Sequence, residues 1–159
     1  MRKLLLLLSI FTAAVTPTAA QGFPYDIFKP RTLKEVTTIT TKAVRPDDTW
    51  FYATTLLESK MPVTFTGQSR PMLAVRKEFV SNWAGLFGQQ KEYADRYETE
   101  YLYKEGDVEY WLGTQTPVAK YFPKELKPGD TITLYVVSLG AYRTKDGFDC
   151  VILVEEYQK

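Results

Sequence analysis

Four tyrosines and a tryptophan crowd one stretch of the chain: Tyr97, Tyr101, Tyr103, Tyr110 and Trp111. Aromatic rings at such spacing can stack on ring-shaped ligands while tyrosine hydroxyls bond at the ligand's edge. They can equally fill a core or form cross-strand pairs. Three acids alternate with them, Glu98, Glu100 and Glu109. Paired carboxylates ~5–9.5 Å apart hydrolyse glycosides, and oxygen-rich sets hold hard cations such as Ca²⁺. Lys91, Arg96 and Lys104 lie among these acids, which favours a solvated, charge-balanced strand face. Tyr142 and Arg143, with Lys145, suggest a small anion site in a hairpin loop. Cys150 sits between Asp149 and Val151, where a buried, inert thiol is expected.

Composition narrows the chemistry further. The 159 residues include no His and one Cys. Without imidazole the commonest general base at neutral pH is missing, and so is the ligand of most catalytic zinc sites. Neither a Ser-His-Asp nor a Cys-His apparatus can be built from this chain alone. One Cys cannot form an intramolecular disulfide. No P-loop and no Gly-x-Gly-x-x-Gly is present. The residues therefore suggest no catalytic or metal set and no cofactor.

The N-terminus reads as a signal peptide. Met1-Arg2-Lys3 is a short positive start, Leu4–Val15 an apolar run, and Thr18 and Ala20 suit the sites flanking a signal-peptidase cut before Gln21. Two units are expected, a cleaved segment 1–20 and one globular exported domain 21–159. Loss of Arg2 and Lys3 leaves 18 basic against 19 acidic residues, a net charge of −1. A near-neutral surface lacks the field for nonspecific nucleic-acid binding. No later apolar run is long enough to span a membrane.

The elements that must position these groups follow from hydrophobic period and turn residues. Leu33–Val44, rich in Thr, Val and Ile, predicts a strand, and Arg45–Asp48 a turn. Trp50–Glu58 predicts a second strand that Pro62–Thr66 could continue. Ser69–Ala84 predicts an amphipathic helix on Met72, Val75, Phe79, Val80 and Trp83, with Gly85 as its left-handed stop. Arg76 is placed on its polar surface. Tyr93–Gln115 predicts a hairpin turning at Gly106. Thr116-Pro117 opens a short helix that Pro123 limits. Thr131–Leu139 predicts a strand with a bulge or stop at Gly140, and Phe148–Glu156 a last strand covered on both faces.

From Tyr93 onward the order is strand, strand, short helix, strand, strand. With one earlier strand this resembles the five-stranded OB-type barrel, in which a helix sits between strands three and four. Tyr110–Gln115, Glu125–Asp130 and Leu134–Gly140 are also similar to segments of small exported bacterial proteins, a likeness that transfers no activity. The expectation is an α+β, β-rich chain: an antiparallel OB-like barrel in the C-terminal half, with an N-terminal hairpin and one amphipathic helix. OB-type barrels bind oligosaccharides or oligonucleotides on aromatic faces. The expected function is a noncatalytic binding or assembly module of the bacterial cell envelope. Its ligand would be a glycan, a peptide or another envelope protein, bound by Tyr97, Tyr101, Tyr103, Tyr110, Trp111, Tyr142 and Arg143. A small carboxylate-based hydrolase acting on polysaccharide, and a structural subunit joined edge to edge, are the alternatives.

Overall fold

The structure is a computed structural model and describes residues 22–89 and 91–159. The expected signal peptide, residues 1–20, lies outside the described residues.

Five strands close into a barrel: β2 (Trp50–Pro71), β3 (Thr99–Glu105), β4 (Val108–Thr114), β5 (Thr131–Thr144) and β6 (Gly147–Gln158). A two-residue strand, β1 (Lys29–Pro30), adds to the edge of β2. Around the barrel the order is β2-β3-β4-β6-β5, and β5 returns to pair with β2. The short helices α3 (Thr116–Ala119) and α4 (Phe122–Glu125) lie between the third and fourth barrel strands, the position the OB resemblance implies. The barrel is mixed rather than purely antiparallel, because β4 runs parallel to β6.

β2 is a single strand of 22 residues that serves two partners. Its first part pairs with β5, from Trp50↔Tyr142 to Thr64↔Thr131, and its last part with β3, from Thr64↔Lys104 to Pro71↔Thr99. The expected continuation over Pro62–Thr66 is present without a break, since Pro62 holds a register position opposite Thr133. The amphipathic helix, α2 (Ala74–Leu86), starts later than expected because Ser69–Pro71 remain in β2. It also runs through Gly85. Gly88 takes the positive φ of 66°, while Gln89 N–H bonds to the Ala84 carbonyl at 2.9 Å.

The N-terminal hairpin takes another form. Its first arm, expected as a strand over Leu33–Val44, is helix α1 (Leu33–Lys42), followed by the Arg45–Asp48 turn and β2. Thr32-Leu33-Lys34-Glu35 forms a capping box: the Thr32 hydroxyl accepts the Glu35 N–H at 3.0 Å, and the Glu35 carboxylate accepts the Thr32 N–H at 2.7 Å. From β3, the Glu105 carboxylate accepts the Leu33 N–H at 2.7 Å and the Lys34 N–H at 3.2 Å. Leu33, Val36 and Thr40 form the buried face. These caps and contacts outweigh the strand bias of the threonines.

Two apolar layers result. Inside the barrel, Met61, Val63, Phe65, Tyr103, Leu112, Ile132, Leu134, Val136, Ile152 and Val154 pack together. Leu33 and Val36 of α1 join them, as do Val118, Phe122 and Leu126 of the α3–α4 segment. Outside it, Phe79, Val80 and Trp83 of α2 cover Val137, Leu139, Val151 and Leu153. β6 is therefore buried on both faces, as its sequence Val151-Ile152-Leu153-Val154 implies. The expected bulge at Gly140 is present: the β5–β6 register shifts between Ser138 and Gly140, whose φ is 139°.

Candidate functional site

β4 and β6 pair at two positions, Gly113↔Leu153 and Thr114↔Val154. Toward the start of both strands a cleft of about 370 Å³ lies between them. β4 lines it with Glu109, Tyr110, Trp111 and Leu112, and β6 with Phe148, Asp149, Cys150 and Ile152. Helix α1 contributes Thr37, Thr38 and Thr41, and α2 contributes Arg76.

Arg76 ties the wall of this cleft together. It is buried, and all three of its guanidinium nitrogens are committed. Nε and Nη2 donate to the Asp149 carboxylate, Nη2 at 2.8 Å to both oxygens. Nη1 donates to Glu100 Oε1 at 2.7 Å and to the Trp111 carbonyl at 2.6 Å. Glu100 is fully buried and also accepts from Arg70 Nε at 2.6 Å. The Arg70 guanidinium lies 4.2 Å from the centre of the Trp111 ring. Tyr142 completes the cluster, its hydroxyl donating to Asp149 Oδ2 at 2.6 Å. All five barrel strands thus contribute one member: Arg70, Glu100, Trp111, Tyr142 and Asp149. Burial works against the charge on Arg76, but the Asp149 and Glu100 carboxylates outweigh it and hold the guanidinium protonated.

The tyrosine stripe divides. Tyr110 and Trp111 are half-buried at the cleft. Tyr103 is fully buried in the barrel, its hydroxyl 3.2 Å from Thr114 Oγ1. Tyr101 is half-buried against Phe65 and Phe122, beside a separate shallow pocket with Glu98 and Lys120. Tyr97 was expected on the first hairpin strand but precedes β3, following a 3-10 turn at Lys91–Arg96. It is fully buried in the outer layer, and its hydroxyl donates to Glu155. Tyr142 is buried beneath the cleft, while Arg143 is exposed at its rim. Arg143 stacks 4.6 Å from the centre of the Phe148 ring and donates to the Asp48 carbonyl at 3.2 Å and to the Pro46 carbonyl.

The three acids of the hairpin are not equivalent. Glu98 is exposed, and Glu109 pairs with Lys104 at 3.0 Å near the surface. Glu100 is not on a solvated face, because α2 covers that part of β3 and supplies Arg76. Sequence reasoning missed Arg76, Asp149, Phe148 and the α1 threonines. One signal for Arg76 was present: with Phe79, Val80 and Trp83 it completes an i, i+3, i+4, i+7 stripe.

Burial, then the Asp149 carboxylate, pushes the Cys150 thiol up to about 12, so it stays protonated at neutral pH. Its Sγ lies 3.7 Å from the Thr37 carbonyl. Among the described residues, no group of three or more His, Cys, Asp or Glu is placed to hold a metal ion. No helix among them is long and apolar enough to cross a membrane. In comparisons with known proteins, no family model, no curated sequence and no solved structure matches this chain.

Proposed function

We propose that this chain is a noncatalytic binding module of the bacterial cell envelope, and that the β4–β6 cleft is its ligand site. The observation that carries the reading is the cleft itself: a concavity of about 370 Å³ with aromatic side chains, hydroxyls and carboxylates on its walls. Its wall is fixed by the buried Arg76–Glu100–Asp149 cluster, so the site is formed before a ligand arrives.

A thermal-shift screen of the purified chain tests the site. A ligand at one hundred times its dissociation constant stabilises by ~2.7 kcal/mol, a shift of several degrees. The shift should vanish in Phe148→Ala and persist in Tyr121→Ala, whose ring is exposed away from the cleft. A ligand whose shift survives both substitutions overturns the assignment.

Export is part of the same proposal and rests on residues 1–20. Expression in a bacterium followed by fractionation and N-terminal sequencing should find a chain in the envelope fraction that begins at Gln21. A cytoplasmic chain that begins at Met1 overturns it.

A further inference from the structure

The polar groups of the cleft are unevenly committed, and this restricts what can bind there. All three guanidinium nitrogens of Arg76 are committed to Asp149, Glu100 and the Trp111 carbonyl. Arg143 at the rim is engaged by the Asp48 and Pro46 carbonyls, and Arg70 by Glu100. Arg76 is the one cation among the lining residues, and its nitrogens are committed, so an anionic ligand finds no free guanidinium in the lining. The carboxylates are paired as well, Asp149 with Arg76 and Glu109 with Lys104. A cationic ligand meets carboxylates whose charge a partner already neutralises. The net charge of the lining groups and their partners is nearly balanced, so neither sign of ligand is drawn in.

What remains are acceptors and ring faces. The hydroxyls of Thr37 and Thr38 donate to the Lys34 carbonyl at 3.0 and 2.7 Å, and Thr41 to the Thr37 carbonyl at 2.9 Å. Each hydroxyl oxygen keeps lone pairs. The carboxylates of Glu109 and Asp149 also keep acceptor capacity. Tyr110 and Phe148 supply half-buried aromatic surface. An extended peptide would need the outward carbonyl of Trp111 to add to β4, and Arg76 already occupies it.

We infer that the ligand is a neutral, hydroxyl-rich glycan segment, which donates to the carboxylate and threonine oxygens and lays an apolar sugar face on Tyr110 and Phe148. This inference rests on the cleft being the binding site.

The experiment is an amide-shift NMR titration of the isotopically labelled chain with six probes. Three are neutral oligosaccharides: cellohexaose, maltohexaose and fully N-acetylated chitohexaose. The others are an oligogalacturonate, an oligolysine and an uncharged serine–glycine peptide. At least one neutral oligosaccharide should shift the amides of Tyr110, Phe148 and Cys150, with an affinity that salt changes little. Tyr110→Ala should weaken it about tenfold. Thr38→Ala, on the exposed side of α1, keeps the fold and should weaken it about threefold. If the oligogalacturonate, the oligolysine or the peptide shifts these amides and no neutral oligosaccharide does, the glycan inference is overturned and the cleft stands as the site. If no probe moves the cleft amides, or a glycan moves only amides elsewhere, both readings are overturned.

Discussion

Arg76 on α2 and Asp149 on β6 meet side by side, Nη2 bonding both carboxylate oxygens at 2.8 Å across 73 residues of chain. The same guanidinium reaches Glu100, which has no exposed surface. Helix, seam and cleft wall are thereby one mechanical unit.

Arg76→Ala should destabilise the chain by about 3–5 kcal/mol, because it leaves the Glu100 carboxylate buried with a single partner. Combining Arg76→Met with Glu100→Leu should recover most of that loss. Arg70 and Asp149, each with about a third of the side chain exposed, can then turn to water. Urea unfolding of the two variants checks this. Equal losses in both would show that the stranded Glu100 carboxylate is not the source of the cost.

The β5 bulge depends on Gly140. A Cβ there would stand 1.9 Å from the Phe51 carbonyl oxygen, at a φ of 139°. Gly140→Ala should cost about 2–4 kcal/mol. Gly85, within α2 and with nothing within 4 Å of a built Cβ, is the opposite case. Gly85→Ala should stabilise by about 0.5–1 kcal/mol. Thermal midpoints of both proteins test the pair of predictions, and a neutral Gly140→Ala would refute the bulge geometry.

Cys150 should be unreactive in the folded chain. With its thiol raised from 9.0 to about 12, the thiolate fraction at neutral pH is about 10³-fold below that of the unfolded chain. Iodoacetamide should label it only when denaturant opens the structure. Labelling at the rate of a free thiol would contradict the raised thiol of this half-buried residue.

Opposing groups shape the pH dependence. Burial lifts the Glu155 carboxyl above its ordinary value of 4.5, despite bonds from Tyr97 and Gln115. A raised folded value means its contribution is complete below the unfolded value and is lost as pH rises through the folded one. Glu35 is lowered by the Thr32 N–H, and Asp130 by the bond from Lys159. Their contributions are present above the unfolded values and are lost as pH falls. Glu155→Gln should therefore reduce the loss of stability as pH rises above the ordinary carboxylate range and leave the acid limb in place. Urea midpoints over that rise in pH are the measurement, and an unchanged slope in the variant would refute it.

The parts of the fold that sequence made legible are those fixed by local pattern. The apolar run of β6, the Gly106 hairpin, the Gly140 bulge and the helix between β4 and β5 all follow from alternation and turn residues. Alternation also placed Glu98, Glu100 and Glu109 together. It says which residues share a face, but not what covers the face. Glu100 is buried because α2 delivers Arg76 from 24 positions away, a fact no local window contains. Tyr97 was misplaced for a similar reason, since the 3-10 turn before it breaks the apparent strand. Helix α1 was misread although Thr32-x-x-Glu35 was in view, because four threonines carry strand bias. In the structure three of them satisfy their hydroxyls within the helix and Thr40 reaches Ser138 at 2.9 Å. The cleft was half legible: Tyr110 and Trp111 were in view, while its other wall comes from α1 and β6.

β6 follows the other four barrel strands in chain order, and it is the one that lies between β4 and β5. Its twelve residues close the ring. Until Gly147–Gln158 has been synthesised, β4 and β5 each hold a naked edge, and the apolar interior opens to one side. A chain that stops short of Gly147 is therefore an open, sticky sheet rather than a smaller barrel. The barrel therefore closes only once β6 has taken its place.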